Sequence, residues 1–150
     1  MNRSKFIEKY TLFIQLATAL SEKARREGLL SMESEIEDID QGDEGEIFKQ
    51  GLRLVVDGID STIIDEILSN KAAHEKDKYM RMYKTILKRA VLGIQAGLNT
   101  RILFHILNSY AGLSQKEESN IMSELLKNDS DNRNDNDSSS SSSDDLDLEG

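Results

Sequence analysis

Apolar residues recur every three or four positions through most of the chain, which is the spacing of one face of an α-helix. The clearest run lies near the N-terminus and comprises Phe6, Ile7, Tyr10, Phe13, Ile14, Ala17 and Leu20. It predicts a helix over residues 5–26 that ends at Gly28, because glycine readily adopts the left-handed conformation that closes many helices. No stretch alternates apolar and polar residues with the period of two that is typical of a strand. The pattern therefore predicts an all-α fold.

The same spacing predicts three helices in the middle of the chain. A short helix over residues 31–39 would turn Leu30, Met32, Ile36 and Ile39 inward. A second short helix ends at Gly58. One long helix follows the N-cap residue Asp60, whose carboxylate can accept the free N–H groups of a first turn, and continues weakly through the polar stretch 70–78 to Ile94.

Two more helices and a tail complete the chain. Asn99 or Thr100 caps a helix, closed by Gly112, with these residues inside: Ile102, Leu103, Ile106, Leu107 and Tyr110. Ser114 and Glu117 form a capping box that opens the last helix. From residue 128 onward the chain is rich in Asn, Asp and Ser and cannot bury enough apolar surface to offset its chain entropy. We expect a compact bundle of about five to six helices with one long helix over residues 1–127, and a disordered acidic tail over 128–150.

Charge and composition narrow the possible functions. The net charge is −9, and most of it belongs to the tail, which holds seven Asp and one Glu against one Arg. Nucleic-acid binding is disfavoured, because it depends on an excess of basic charge. The longest apolar stretch, residues 11–20, is about half the ~20 residues of a membrane-spanning helix. We expect a soluble cytoplasmic protein, with membrane association at most peripheral.

The usual signs of an enzyme are absent from the sequence. The chain has no cysteine, no glycine loop that could hold a phosphate and no His-Glu-x-x-His motif, and its two histidines are His74 and His105. We therefore predict no catalytic residue, no metal site, no cofactor and no small-molecule substrate. A group of basic residues on the predicted long helix could offset the acidic segment 33–46, contact a partner or an anionic membrane surface, or simply face solvent: Lys71, Lys76, Lys78, Arg81, Lys84, Lys88 and Arg89.

Three blocks of sequence resemble one family in the family's own order. Residues 24–33 (ARREGLLSME) are similar to the signature that follows the second membrane span of flagellar stator A subunits of the MotA type, in the MotA/TolQ/ExbB superfamily. Residues 47–58 (IFKQGLRLVVDG) are similar to the next block, and residues 90–101 (AVLGIQAGLNTR) to the family's C-terminal cytoplasmic helices. The resemblance implies membrane spans before the first block and between the second and third, and we expect a chain reduced to the cytoplasmic parts.

The resemblance also implies a partner-binding site. In the family, an Arg and a Glu near the first block engage charged residues of the rotor switch protein FliG, and these positions fall on Arg25 and Glu33. We therefore expect a non-enzymatic, motor-associated protein that binds a FliG-type rotor protein or stator A subunits through Arg25 and Glu33. Alternatively, these two side chains only support the turn at Gly28. Without spanning helices the chain would have nothing to line an ion path.

A second hypothesis belongs to another class of function. In this hypothesis the helical unit is an adaptor or scaffold unrelated to motility, and the apolar first helix drives the formation of a homo-oligomer.

Overall fold

The computed structural model describes residues 1–40 and 42–139, and within these ranges the chain forms seven α-helices and no strand. The helices are α1 (Arg3–Glu27), α2 (Glu33–Ile36), α3 (Glu46–Val56), α4 (Ser61–Ala73), α5 (Lys78–Gln95), α6 (Thr100–Ala111) and α7 (Gln115–Ser139). Single 3-10 turns at Leu29–Met32 and Asp43–Gly45 precede α2 and α3. The predicted all-α class is confirmed. The helices lie in two compact units, Met1–Gly112 and Leu113–Gly150.

Local sequence explains where α1 begins and ends. The side chain of Asn2 accepts a hydrogen bond from the Lys5 amide at 2.8 Å, which satisfies one of the free donors of the first turn. Gly28 ends the helix with a φ of 91°, a backbone conformation that residues with a Cβ rarely adopt. Six of the seven apolar residues that predicted this helix are buried, and Ile7 is half-buried.

The core of the first unit forms around α5, which packs against α1, α3, α4 and α6. Tyr83 on α5 is 1% exposed, and its ring centroid lies 6.0 Å from that of Phe13 on α1. The Phe13 ring in turn meets Phe48 of α3 edge-on at 4.9 Å. Edge-to-face pairs of this kind add about 0.5–1.5 kcal/mol to the free energy gained by burying the rings. Three helices are thereby joined at one aromatic cluster.

The prediction of one continuous helix from Asp60 to Ile94 is wrong. The chain forms two helices there, α4 and α5, which are separated between Ala73 and Lys78. The Asp77 carboxylate caps α5 by accepting from the Met80 amide at 2.8 Å. The Arg81 side chain donates to the carbonyl of Glu75 at 2.8 Å and to that of Lys76 at 3.0 Å. The break lets α4 fold back and pack against α5, which a continuous helix could not do. The polar stretch 70–78, where the helical pattern is weak, therefore contains the turn between the two helices.

Three predicted core residues are exposed instead. Leu30 is 69% exposed, Ile102 50% and Tyr110 42%. The inward prediction is correct for Met32, Ile36 and Ile39, and for Leu103 and Leu107 on α6. Because the apolar positions of α6 cover more than one face, packing could bury only the face that carries Leu103, Phe104 and Leu107.

The second unit contains α7, which opens with the predicted capping box. The Ser114 amide donates to the Glu117 carboxylate at 2.9 Å, and the Glu117 amide donates to the Ser114 hydroxyl at 3.2 Å. The helix runs to Ser139, whereas the sequence analysis ended it near Lys127. Residues 140–150 of the predicted disordered tail lie outside the described residues.

Candidate partner-binding site

The two predicted contact residues lie on either side of the turn that follows α1. Arg25 is exposed in the last turn of that helix, where a cation interacts favourably with the helix dipole. Glu33 is exposed at the start of α2. Between them the chain makes the Gly28 turn and the 3-10 turn Leu29–Met32. The structure thus exposes both side chains on the first unit.

The turn is supported by its own backbone and by Ser31. The Gly28 amide donates to the carbonyl of Ala24 at 2.9 Å, and the Ser31 hydroxyl donates to the carbonyl of Gly28 at 2.6 Å. Met32 is fully buried and anchors the turn in the core. Across residues 1–40 and 42–139, neither the Arg25 guanidinium nor the Glu33 carboxylate has an ion pair or a hydrogen bond. Arg25 can still stabilise the end of α1 through the helix dipole, and neither residue makes a polar contact with the turn at Gly28 within the described residues.

Neighbouring charges, in contrast, are paired within the unit. Lys23, two residues before Arg25, donates to the Glu35 carboxylate at 2.6 Å, and this hydrogen bond raises the pKa of the Lys23 ammonium. The Arg53 guanidinium of α3 reaches the Glu37 carboxylate at 3.0 Å. These ion pairs tie the acidic segment, defined as residues 33–46, to α1 and α3.

A third ion pair joins the acidic segment to the other end of α1. The Lys9 ammonium donates to the Glu44 carboxylate, and this bond lowers the pKa of the Glu44 side chain. Both side chains are partly buried, with 29% of Lys9 and 16% of Glu44 exposed. Ion pairs that the protein shields from solvent keep more of their interaction energy than fully exposed pairs, because water and salt weaken the latter.

The basic residues of α4 and α5 pair mainly with acidic and polar groups of their own region, although Lys84 also interacts electrostatically with Glu44 of the acidic segment. Lys84 pairs with Glu75 at 2.8 Å, and Lys88 pairs with Asp65 at 2.9 Å. The Lys71 ammonium donates to the side chain of Gln50. Much of this positive charge therefore holds α3, α4, α5 and the intervening turn together, which leaves less of it for a membrane or a partner.

Leu30 is a feature of the site that the sequence analysis missed. It lies in the 3-10 turn between Arg25 and Glu33 and is 69% exposed, although it was predicted to point inward. The adjacent pair Leu29-Leu30 was a usable signal, because two consecutive residues of a tight turn do not both face the same side. Leu30 therefore adds an exposed apolar side chain to the segment that carries Arg25 and Glu33.

Neither a metal site nor a membrane span is found among the described residues. Within them, no group of three His, Cys, Asp or Glu side chains is placed to hold a metal ion. His74 and His105 are both exposed and lie far apart in the chain, His74 at the C-terminal end of α4 and His105 within α6. None of the helices in the described ranges is both long enough and apolar enough to cross a membrane.

The first unit is a helical module that exposes Arg25, Leu30 and Glu33 at its surface. Sequence comparison shows which proteins it is similar to. The chain is 39% identical to motility protein A of Treponema phagedenis over 85 residues, which are 57% of this chain and 31% of that protein. It is 39% identical to motility protein A of Treponema pallidum over 66 residues, 44% of this chain and 24% of that protein.

A third relative is motility protein A of Borreliella burgdorferi, which is 49% identical over 55 residues, covering 37% of this chain and 20% of that protein. No protein-family model and no solved structure matches the chain. The matches confirm the relationship to MotA-type proteins. In each case the matched segment spans about a third or less of the relative's length.

Proposed function

We propose that this chain is a non-enzymatic accessory protein of the flagellar motor that acts in the cytoplasm or at the cytoplasmic face of the inner membrane. It binds a FliG-type rotor switch protein, or MotA-type stator subunits, through the surface formed by Arg25, Leu30 and Glu33. The observation that carries this proposal is that Arg25 and Glu33, in the MotA-like block, are exposed and unpaired within the described residues.

The chemistry of this surface suits a selective and reversible contact. Exposed charge pairs typically contribute about 0.2–1 kcal/mol each, so they set partner choice and association rate more than affinity. Leu30 adds apolar area at the centre, where burial contributes about 25 cal/mol per Å² removed from water. The partner surface should therefore present an acidic group for Arg25, a basic group for Glu33 and an apolar contact between them.

The homo-oligomeric adaptor is less well supported. That hypothesis assigned oligomerisation to the apolar face of the first helix. In the structure Phe6, Tyr10, Phe13 and Ile14 are fully buried within their own unit, so of the first helix only side chains such as Leu12 and the half-buried Leu16 could contact a second chain.

Binding to purified motor proteins tests the proposal. The wild-type chain, tested against the rotor switch protein and against stator subunits by biolayer interferometry, should bind at least one of them, and Arg25→Glu should weaken that binding strongly. Arg101→Glu is the matched control, because Arg101 is also exposed on a helix of the first unit and the charge change is identical. Equal binding by the Arg25→Glu and Arg101→Glu variants would discredit this surface, as would recovery of neither rotor nor stator proteins from a motile cell.

A further inference from the structure

A groove of about 400 Å³ runs along the first unit between α1 and the chain that follows α2. Its apolar lining comes from Leu16 and Leu20 of α1 and from Ile39. Leu20 and Ile39 are buried at 2% and 8% exposure and form the floor. Three acidic residues complete the lining, namely Glu35, which pairs with Lys23, and Asp38 and Asp40.

An apolar strip leads out of the groove along α1. Leu12, Leu16 and Leu20 are spaced four residues apart and therefore lie on one side of the helix. Leu20 is buried, Leu16 is half-buried and Leu12 is 59% exposed. The strip therefore passes from the groove floor to open surface, which gives an elongated apolar track rather than an enclosed cavity.

The rim of the groove carries uncompensated negative charge. The acidic segment holds eight Asp and Glu residues and no Lys or Arg. Lys9, Lys23 and Arg53 pair with three of them, Glu44, Glu35 and Glu37. Asp38 and Asp40, both exposed at the rim, have no ion-pair partner among residues 1–40 and 42–139.

We propose that this groove is the docking site for a basic amphipathic helix of a partner protein. Apolar residues of that helix, three and four positions apart, would cover Leu12 and Leu16, and its flanking Lys or Arg side chains would meet Asp38 and Asp40. This is the general mode in which a helix lies in an apolar groove. The assignment goes beyond the Arg25 surface, which it neither includes nor requires.

The charge distribution favours a partner over a second copy of the chain. The basic side chains Lys71, Lys84 and Lys88 are engaged by Gln50, Glu75 and Asp65 within their own unit, so a second copy offers less free positive charge. A metal ion is also a poor occupant, because no three ligating groups converge among the described residues.

Fluorescence anisotropy with a labelled model peptide tests this proposal. The probe is a helical Leu/Lys peptide with leucines on one face, and its control is the Leu/Glu peptide with the same apolar face. The full chain should bind the Leu/Lys peptide, more weakly at high salt, and should not bind the Leu/Glu peptide. The Asp38→Asn/Asp40→Asn variant should lose about three- to tenfold in affinity, the size expected for two exposed charge pairs.

Matched variants distinguish binding in the groove from general effects of net charge or of exposed apolar area. Asp57→Asn/Glu66→Gln removes the same charge from exposed positions elsewhere on the unit, and it should change the affinity little. Leu12→Ser should weaken binding, whereas Ile63→Ser, at a similarly exposed position, should not. Circular dichroism of each variant verifies that its helices remain intact.

Three results would overturn the proposal. The first is equal binding of the two peptides, and the second is an Asp38/Asp40 variant no weaker than its control. The third is a groove variant that alters sedimentation of the chain alone without altering peptide binding, which would make a second copy the occupant. Arg25→Glu should leave peptide affinity unchanged, so failure here and failure of the motor-binding proposal are distinguishable.

Discussion

At the scale of single residues, the difference between Lys23 and Arg25 defines the candidate site. Residues two apart on a helix lie on nearly opposite sides. Lys23 meets the Glu35 carboxylate at 2.6 Å, whereas Arg25 is exposed and has no partner within the described residues. Lys23 therefore forms an ion pair within the first unit, whereas the nearby Arg25 stays exposed at the surface of that unit.

Gly51 in α3 lies where three helices approach each other. A Cβ placed there would lie 2.7 Å from a methyl carbon of Val91 and 2.9 Å from one of Leu68, which is closer than side chains tolerate. The absence of a side chain at this position therefore allows α3 to pack against α4 and α5.

We expect Gly51→Ala to lower the free energy of unfolding by about 1–3 kcal/mol, because overpacking forces buried neighbours to move. Gly93→Ala should cost less, because its Cβ would clash chiefly with the end of one flexible side chain, Leu103, at 2.6 Å. Urea denaturation of both variants measures the difference. A Gly51→Ala variant as stable as the wild-type chain would contradict the close approach.

At the scale of elements, a buried polar pair joins α1 to α6. The Tyr10 hydroxyl donates to the amide oxygen of Asn108, and both residues are almost completely buried. The Asn108 amide nitrogen is buried and has no hydrogen-bond partner in the described part of the chain. Buried polar pairs of this kind cost free energy when only one member is removed.

Tyr10→Phe should therefore lower the free energy of unfolding by about 1–3 kcal/mol, since it leaves the Asn108 oxygen buried without its donor. The double variant Tyr10→Phe/Asn108→Leu should regain much of that loss, because both polar groups are then gone. Denaturation of the two single variants and the double variant gives the coupling energy. Simple additivity of the single effects would show that the two side chains do not interact.

At the scale of the whole molecule, carboxylates with lowered pKa values connect elements that are distant in sequence. The hydrogen bond from Lys9 lowers the pKa of Glu44, that from Lys88 lowers the pKa of Asp65, and that from Lys84 lowers the pKa of Glu75. Each of these carboxylates is stabilised in its ionised form by folding. They join α1 to the acidic segment and α5 to α4 and to the turn that follows it.

Stability should consequently decrease on acidification. A group whose pKa is lowered by folding contributes stability above its unfolded value, and that contribution is lost as the pH falls through the folded value. The ordinary values are 4.5 for Glu and 3.8 for Asp, so we expect the decline to begin as the pH approaches this range. Thermal unfolding of the wild-type chain between neutral pH and about pH 3 measures it.

Glu44→Gln should reduce this pH dependence, because the variant lacks one of the groups whose pKa folding lowers. Glu22→Gln, an exposed position without an ion pair in the described ranges, serves as the control. If the two variants show the same slope of stability with pH, the Lys9–Glu44 pair contributes nothing measurable.

The sequence by itself determined the features that depend on near neighbours. The inward face of α1, the caps at Asp60 and Asn99 and the capping box at Ser114 were all predicted, because each depends on residues within about one helical turn. The resemblance to MotA-type proteins likewise lies in contiguous blocks. These blocks selected Arg25 and Glu33 without knowledge of the fold.

Only the tertiary structure decided which apolar and charged residues remain at the surface. The exposure of Leu30 and the ion-pair partners of Lys23 and Lys9 result from contacts between segments that are apart in the chain. Periodicity shows that a residue can be buried, but the packing of other helices determines whether it is. The acidic groove beside α1 is invisible in the sequence for the same reason, since its two sides meet only in the folded unit.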